Sequence, residues 1–453
     1  MKPPHRAIVL LSCLTVASLL FAACERADAP KPTASPAGSG TAQPAAPAAR
    51  AAYPTKEITL HVWDTAEQTK AELYRTVLIP EYKKLHPNVT VDYQSISTAD
   101  LLQKLLATLT AGTGPEVFTL GDWFLPTYFD KKLLDPVSPE AFGYKSHADM
   151  IDGYIAGLLG PQTNNGVLYA VPIQMNAFSL FLNNRLFKEA GLDPQKDAPQ
   201  TWDDVARLSK KLTKRQGDRV VQKGFEMRYV GDNWLAQMFH TFIYQAGGDV
   251  LRDGKPAFNN AAGLKALSLW KSLTLAPKVT QNTAASPYQD FAVEQDAMSF
   301  AGPNGGAVIE KINPKMAGNY TVVSLPQINP AQPKTMMYSF NLVVNTRIAP
   351  ELKTVAWDFI AHAIKQPTVW MQRTRMINPV KGWTDTAEAK QVPYLSVFIH
   401  DLSIARPMAR SQHFVELQSA IARAVDRVVL DNVDPKQSLD QAAADYTRAI
   451  ANK

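Results

Sequence analysis

Two short segments pair a tryptophan with a carboxylate beside the end of a predicted strand. Trp63 and Glu67 stand at the end of the first predicted strand, and Asp122 and Trp123 directly follow the third. An indole ring offers an apolar platform, and a carboxylate accepts hydrogen bonds. Open α/β sheets bind ligands at this edge, so these residues are candidates for a ligand site. Their chemistry suits a ligand with apolar ring faces and a rim of hydroxyl groups. The alternatives are a core tryptophan for Trp63 and a solvated acid at a helix start for Glu67.

Catalytic chemistry finds little support in the sequence. It contains no G-x-S-x-G, H-E-x-x-H or P-loop motif, and its 8 histidines include no i, i+4 pair that would place two metal ligands on one helix face. The 2 cysteines, Cys13 and Cys24, both lie near the N-terminus, which excludes a cysteine nucleophile, a thiolate metal site and an internal disulfide from the remainder. We therefore expect no enzymatic activity, no metal and no cofactor.

Alternating local patterns predict the elements that position these residues. Apolar residues alternate in the first predicted strand, two further segments are also predicted to be strands, and helical patterns lie between them. Thr98 is expected to cap the second helix, which ends at Gly112, and Thr201 to Asp204 form a capping-box start. Strands that alternate with helices predict parallel sheets covered on both faces. The predicted strands are 58–62, 89–93 and 116–120, and the first helix is predicted at 71–85.

The N-terminal residues are typical of an export signal. A basic start, 1–6, precedes an apolar run, 7–20, and small residues lead to Cys24. This order resembles a bacterial lipoprotein signal, in which the cysteine is lipidated and becomes the new N-terminus. The resemblance implies a signal peptide at 1–23, and the Ala- and Pro-rich composition predicts an extended tether at 24–52. The alternative is an uncleaved membrane anchor, for which the apolar run is short.

The remainder, from about Tyr53 to Lys453, is typical of a globular protein. Hydrophobic residues make up 46% and charged residues 19% of the chain, and the length indicates two or three domains. A net charge of +6 without a Lys/Arg block gives little support for nucleic-acid binding. Trp202, Trp270 and Trp357 occupy apolar helix positions and are expected in the core.

Short motifs follow one another in a specific order after the tether: Gly114-Pro115-Glu116-Val117, Asp122-Trp123, Tyr169-Ala170-Val171-Pro172, Leu182 to Leu192, Pro199 to Asp204, Gly247-Gly248-Asp249, Gly302-Pro303 and Ala356 to Phe359. Each motif alone is weak. Their order resembles that of the extracellular solute-binding proteins of ABC importers, in the sugar-binding family that includes maltose-binding protein. The resemblance covers almost the whole region after the tether.

This resemblance implies an α/β fold with two lobes, of the periplasmic-binding-protein type II, with a hinge and a ligand cleft between the lobes. Ligand pockets favour domain interfaces, and hinged lobes can close around a ligand. The expected ranges are 53–172 and 341–385 for lobe 1, 179–335 and 390–453 for lobe 2, and 173–178 and 336–340 for the hinge crossings.

The crossings are expected to contribute polar groups to the cleft. Gln174 and Asn176 lie in the first crossing, where the alternative is hydrogen bonding within the hinge. Tyr338 and Ser339 lie in the second crossing. Amide and hydroxyl groups at these positions suit the hydroxyl rim of a sugar.

Four further residues complete the expected ligand site. Trp234 resembles the aromatic residue of the second lobe in this family, although it also suits packing at a helix start. Gly302 matches a family loop that usually continues with Trp, where this chain has Asn304, so that an amide replaces a stacking platform. Arg373 suits either an anionic or polyhydroxylated ligand or a surface ion pair.

Together these features predict a substrate-binding lipoprotein of an ABC importer. We expect a monomer that captures a carbohydrate between closing lobes and delivers it to the transmembrane permease. The lipid on Cys24 would hold it at the periplasmic face of the membrane, or at the outer surface of a single-membrane bacterium. One alternative is a lipid-anchored glycoside hydrolase, which needs two carboxylates about 5–10 Å apart, such as Glu67 and Asp122. Another is a ligand-dependent partner of a sensor protein.

Overall fold

The computed structural model describes residues 52–227, 231–275 and 288–451. The predicted signal peptide, Cys24 and the tether up to residue 51 lie outside these ranges. The strands are β1 (Ile58–Thr65), β2 (Val89–Ile96), β3 (Val117–Gly121), β4 (Thr163–Asn164), β5 (Val167–Leu168), β6 (Val171–Ala177), β7 (Ser179–Asn183), β8 (Lys214–Gln216), β9 (Arg219–Gln222), β10 (Leu251–Arg252), β11 (Lys255–Pro256), β12 (Met298–Ala301), β13 (Tyr320–Ser324), β14 (Thr335–Val344) and β15 (Ala405–Pro407).

Helices connect and cover these strands. They are α1 (Gln68–Leu73), α2 (Ile79–Leu85), α3 (Thr98–Ala111), α4 (Leu125–Asp130), α5 (His147–Asp152), α6 (Asn184–Glu189), α7 (Trp202–Leu212), α8 (Gly231–Gln245), α9 (Ala261–Leu275), α10 (Gln289–Ala292), α11 (Asn304–Ile312), α12 (Pro350–Ile364), α13 (Pro367–Thr374), α14 (Ala387–Lys390), α15 (Leu395–Ser403), α16 (Phe414–Val429) and α17 (Pro435–Ala451). Across the described ranges, every helix is too short or too polar to cross a membrane.

The first sheet has six strands in the order β15-β14-β3-β1-β2, with β6 also pairing with β14. β1 pairs in parallel with β2 and β3, as predicted from the alternation of strands and helices. β14 instead pairs antiparallel with β3 and β6. The path of the chain explains this direction. The chain leaves the first sheet after β6 and returns to it from the second sheet at β14. Parallel pairing would need a crossover connection, usually a helix, between neighbouring strands of one sheet.

The second sheet has three strands in the order β12-β7-β13, and both pairs are antiparallel. Only Phe178 separates the last residue of β6 from the first residue of β7. The chain therefore passes from one sheet to the other within the predicted first crossing. The second predicted crossing falls inside β14, which pairs with strands of the first sheet along its length. The bounds of the two lobes stay a prediction.

Local chemistry explains where the elements begin and end. In β1, buried Ile58, Leu60 and Val62 alternate with exposed residues, as the sequence predicts. The cap of α3 was predicted one residue too late. Ser97 keeps an extended backbone and its side chain accepts from the Asp100 N–H, whereas Thr98 is already helical.

Two other predicted helix boundaries are confirmed. Gly112 ends α3 in the left-handed conformation, at φ 75°, which glycine adopts without a Cβ penalty. Thr201 caps α7 and exchanges hydrogen bonds with Asp204 in a capping box. The start of α7 is therefore set by a short local signal, which the sequence contains in full.

The first predicted helix extends from Gln68 to Leu85 with a wider π-helical segment, Tyr74–Leu78, in its middle. Pro80 is the second residue after this segment and lacks the N–H that would bond to the carbonyl of Thr76. Local widening lets the helix continue despite the missing donor. The element starts three residues before the predicted position.

The three tryptophans expected in the core are buried. Trp202, Trp270 and Trp357 are each at most 2% exposed. Trp202 Nε1 donates to Gln245 at 2.8 Å, and Trp357 Nε1 donates to Asp135 at 3.0 Å. These bonds satisfy the indole N–H of Trp202 and Trp357, whereas Trp270 Nε1 has no hydrogen-bond partner among the described residues.

Candidate functional site

Three polar side chains from distant parts of the sequence meet where the two sheets join. We call Glu67, Asn304 and Asn176 the polar chain. Asn304 lies close enough to the Glu67 carboxylate to lower its pKa. Its Oδ1 lies 3.5 Å from Asn176 Nδ2, which also donates to the Tyr338 hydroxyl at 3.0 Å. The structure thus brings together four of the residues predicted to bind a ligand.

The elements around the polar chain explain its geometry. Glu67 lies between β1 and α1, Asn176 lies in β6, and Asn304 is the first residue of α11. A Cβ at Gly302 would lie 3.1 Å from Asn176 Nδ2 and 3.2 Å from Asn304 Oδ1. These distances are tight, so a side chain at this position would push the two amides apart. Gly302 therefore acts by leaving room for the polar chain.

Two acceptor atoms of the polar chain lack a hydrogen-bond partner among the described residues. They are Glu67 Oε1 and Asn176 Oδ1, and both are buried atoms. A buried acceptor without a donor is unfavourable by roughly 1–3 kcal/mol. Hydroxyl groups of a ligand are donors of the right kind to satisfy these atoms.

The charge state of Glu67 is set by opposing effects. Burial raises the pKa of Glu67 above its usual value, while the charge of Lys70 and the nearby amide of Asn304 lower it. The nearby Asp64 carboxylate adds to the increase in this pKa. Burial has the largest effect, so the protonated form is more favourable here than in water.

Lys70 and Asp64 form a buried ion pair beside Glu67, which the sequence analysis did not predict. Lys70 Nζ lies 2.7 Å from Asp64 Oδ1, and the two side chains are 1% and 0% exposed. Lys70 also donates to the Thr65 hydroxyl at 2.7 Å. Tyr93 and Thr119 donate to Asp64 at 2.9 and 2.5 Å. Each charge therefore has several partners, which buried ions need.

Aromatic side chains pack beside the polar chain. We call Trp123, Phe178, Trp234, Phe300 and Tyr338 the aromatic cluster. The Phe178 ring centroid lies 5.0 Å from that of Trp234 and 5.8 Å from that of Tyr338, and the Trp234 ring stacks on Phe300 at 5.7 Å. Trp123 lies 6.1 Å from Tyr338. Since Tyr338 also accepts from Asn176, it joins the cluster to the polar chain.

Each ring of the aromatic cluster comes from a different element. Trp123 lies in a 3₁₀ turn after β3, Trp234 in the first turn of α8, Phe300 in β12 and Tyr338 in β14. Phe178 stands at the passage between the sheets. Sequence reasoning missed Phe178 and Phe300 because each is an apolar residue next to or inside a buried strand, a pattern that also describes an ordinary core residue.

Asp122 and Ser339 lie behind this site and support it. The Ser339 N–H donates to Asp122 Oδ1 at 2.9 Å. Burial raises the pKa of Asp122 to about 7, although this hydrogen bond and the charge of Arg410 oppose the increase. The Ser339 hydroxyl accepts from Gln162 at 2.7 Å and contacts Asn341. These bonds hold the end of β3 against β14.

Three predicted site residues are not joined to this group by a described side-chain contact. Gln174 is 2% exposed and lies opposite Phe340 in the β6–β14 register, on the same face as Asn176. Trp63 is half-buried and packs against the hydrophobic core. Arg373 is exposed on α13.

A group of carboxylates elsewhere has the composition of a cation site. Glu226, Asp290 and Asp296 place one oxygen each within 4.8 Å of one another. The Lys223 ammonium lies 2.6, 2.7 and 3.6 Å from these three carboxylates. A protein cation therefore already pairs with the group, which we interpret as structural.

The sequence matches the family model described as bacterial extracellular solute-binding protein over residues 65–367, about two thirds of the chain. The chain belongs to this bacterial extracellular solute-binding protein family. The match begins at the last residue of β1 and ends at the start of α13. It includes every residue of the polar chain and of the aromatic cluster.

Two curated relatives are similar to the chain. A protein of Brucella abortus (strain 2308), described as a binding protein, is 25% identical over 191 residues, 42% of this chain and 43% of the relative. This solute-binding protein therefore matches less than half the length of that relative. The arabinooligosaccharide-binding protein of Bacillus subtilis (strain 168) is 22% identical over 318 residues, 65% of this chain and 70% of the relative.

Solved structures share the fold. An ABC transporter solute-binding protein from Thermotoga lettingae, crystallised with α-D-tagatose, superposes with a TM-score of 0.75 at 23% identity. The match covers 86% of this chain and 99% of the Thermotoga protein. The predicted two-lobed α/β fold of the solute-binding protein is thereby confirmed.

Proposed function

We propose that this solute-binding protein captures a carbohydrate between its two lobes and delivers it to the permease of an ABC importer. The observation that carries the proposal is the junction of the polar chain with the aromatic cluster at Tyr338. Sugar rings have apolar faces that stack on aromatic side chains and hydroxyl groups that donate to free acceptors. Both kinds of group meet at one place in this fold.

The site residues proposed to contact the sugar fall into two groups. Glu67, Asn176 and Asn304 offer hydrogen bonds to hydroxyl groups, and Trp123 and Trp234 offer ring faces. Trp123 Nε1 is a buried donor without a partner among the described residues, so it is available to a ring or hydroxyl oxygen. Asp122, Ser339 and Gly302 position these residues, whereas Trp63, Gln174 and Arg373 remain predicted contacts.

The bound sugar is proposed to stabilise the closed arrangement of the lobes. A ligand shifts a two-state equilibrium only through its differential contacts with the two states. Glu67 belongs to predicted lobe 1, Asn304 belongs to predicted lobe 2, and Asn176 lies in the first crossing. A sugar that contacts all three side chains binds the closed form more tightly than the open form.

The location and partner are proposals of the same kind. The lipoprotein-type signal ending at Cys24 supports a lipid-anchored protein in the cell envelope, where it would act as a monomer beside its permease. The relatives that bind an arabinooligosaccharide or tagatose by their descriptions support a carbohydrate ligand and a binding role rather than catalysis.

Thermal unfolding of the purified protein tests the proposal. The panel contains mono- and oligosaccharides, polyols, sugar phosphates and, as controls, amino acids. A ligand at 100 times its dissociation constant adds roughly 2.7 kcal/mol to the free energy of unfolding. We expect a raised midpoint with one class of carbohydrate and none with amino acids.

The outcome that contradicts a carbohydrate ligand is an unchanged midpoint with every sugar, measured on protein first unfolded and refolded to remove carried-over ligand. A shift with amino acids alone would assign the site to another class of solute. Turnover of aryl glycosides, lost in Glu67→Gln, would instead support a hydrolase.

A further inference from the structure

Helix α11 contacts elements of the predicted first lobe at two successive places. At its first residue, the Asn304 amide is near enough to the Glu67 carboxylate to lower its pKa. Seven residues later, Lys311 Nζ lies 3.0 Å from Glu72 Oε2 on α1. Residues seven apart lie on the same face of a helix. One face of α11 therefore meets both Glu67, just before α1, and Glu72, within it.

A third contact of α11 joins the end of α13. Arg375 Nη2 lies 3.4 Å from Glu310 Oε2, and both side chains are 24% exposed. The Tyr320 hydroxyl, on β13, donates to the other Glu310 oxygen at 2.7 Å. Glu310 is thereby held from the side of the second sheet while it pairs with an arginine in the range predicted for lobe 1.

We infer that α11 is a latch that favours the closed form through the protein's own side chains. The latch consists of Asn304, Glu310 and Lys311, with Glu67, Arg375 and Glu72 as their respective partners. The inference rests on the proposed function, because it assumes two lobes that open and close. It adds that closure does not depend on ligand contacts alone.

The latch also gives Asn304 a second role. Its amide acts on the Glu67 carboxylate, so a ligand hydroxyl that binds Glu67 competes with this amide or binds Oε1, which has no hydrogen-bond partner among the described residues. A tryptophan at this position, as the resemblance to the family leads one to expect, has no such planar amide. The equilibrium between open and closed forms is therefore set partly by this position.

Distance measurements between two spin labels on the full chain test the latch. Cys13→Ser and Cys24→Ser remove the 2 native cysteines. Labels are then attached at Lys84→Cys and Lys211→Cys, which are exposed positions in predicted lobes 1 and 2. The distance distribution is recorded without added sugar and then with the sugar identified by thermal unfolding.

Two variants break the latch by repulsion. Lys311→Glu places like charges together at Glu72, and Asn304→Asp places a second carboxyl group against Glu67. We expect each variant to increase the open population at least fivefold without sugar. Lys436→Glu is the matched control, because it makes the same charge change in an exposed ion pair within α17 and should leave the distances unchanged.

The charge-swapped variant Lys311→Glu with Glu72→Lys should restore the original distribution, because the pair is re-formed with its charges exchanged. Unchanged distances in both Lys311→Glu and Asn304→Asp would overturn the latch. If these variants open the protein but neither the unmodified chain nor any variant binds a sugar, the latch stands and the proposed ligand class fails. If the distance distributions of the variants match that of the unmodified chain without sugar, and sugar closes every variant equally, the ligand class stands and the latch fails.

Discussion

The polar chain and the aromatic cluster form adjacent halves of the candidate site, and they are built in opposite ways. The rings of the aromatic cluster contact one another with centroids 5.0–6.1 Å apart. The polar chain keeps two buried acceptor atoms without partners among the described residues. The difference indicates that packing fixes the shape of the site, while the polar chain can exchange partners when a ligand binds.

The two halves also differ in what supports them. The aromatic cluster is continuous with the hydrophobic core, which includes Phe178, Phe300 and Trp123. The polar chain lies beside the Asp64–Lys70 ion pair, whose charges are almost completely buried. Packing tolerates small changes of volume, whereas a buried charge that loses its partner is strongly unfavourable. The free energy of unfolding should therefore be more sensitive to single substitutions near the polar half than to substitutions near the aromatic half.

The largest effect is expected on stability when the support of the polar half is broken. Lys70→Met leaves the Asp64 carboxylate buried without its ammonium partner. We expect the free energy of unfolding to fall by about 3–5 kcal/mol, measured by urea denaturation. Combining Lys70→Met with Asp64→Asn removes both charges and should recover most of the loss. Equal destabilisation by the single and double variants would show that the ion pair does not support this half.

The next effect concerns the pH dependence of stability behind the aromatic half. Burial raises the pKa of Asp122 to about 7, while an unfolded aspartate titrates near 4. The folded state thus holds a proton that the unfolded state has lost between these values, and stability should decrease as the pH rises from about 4 to 7.

Asp122→Asn tests this dependence, because the amide still accepts from the Ser339 N–H but does not titrate. We expect the slope of stability against pH to flatten by up to about 1.4 kcal/mol per pH unit. Asp401, whose pKa burial also raises to about 7, should account for a remaining slope. Asp218→Asn, at an exposed position, is the control. If Asp122→Asn and Asp218→Asn show the same slope of stability against pH, the prediction is contradicted.

Ligand affinity should depend most on the aromatic half. Trp234→Ala removes a ring that stacks on Phe300 and lies beside Phe178. Large aromatic side chains at the centre of a binding site commonly contribute about 2 kcal/mol or more, or about 30-fold in the dissociation constant. Titration calorimetry with the identified sugar measures this change. Trp234→Phe should retain most of the affinity, and an unaltered dissociation constant for Trp234→Ala would exclude this ring from the site.

The smallest effect is expected from one acceptor of the polar half. Glu67→Gln preserves the shape of the side chain but removes the charge that strengthens its hydrogen bonds. We expect the sugar to bind about tenfold more weakly, corresponding to about 1.4 kcal/mol. Glu57→Gln, at an exposed position, is the matched control. If Glu67→Gln weakens binding more than Trp234→Ala does, the contrast between the two halves is reversed.

The local elements of this protein were predictable because their signals are close together in sequence. Alternating apolar residues predicted β1, and Thr201 with Asp204 predicted the start of α7. The cap of α3 was misplaced by one residue because Ser97 and Thr98 have similar capping chemistry, and only the backbone conformation distinguishes them. The motif order also predicted the family and its two-lobed fold.

The site was only partly predictable. The sequence named Glu67, Asn176, Asn304 and Tyr338 separately, and their joining depends on how β6, β14 and α11 meet. The antiparallel direction of β14 likewise follows from its return from the second sheet.

Sequence patterns alone predict the first strands and helices, an export signal and residue types that suit a sugar site, because periodicity, capping and composition act over short distances. The folded structure is needed to show that Lys70 pairs with Asp64, that the Ser339 hydroxyl accepts from Gln162, and that α11 contacts α1. Such contacts join residues whose separation along the chain carries no information about their distance in space. They form only where packing of the two sheets brings the residues within hydrogen-bond range.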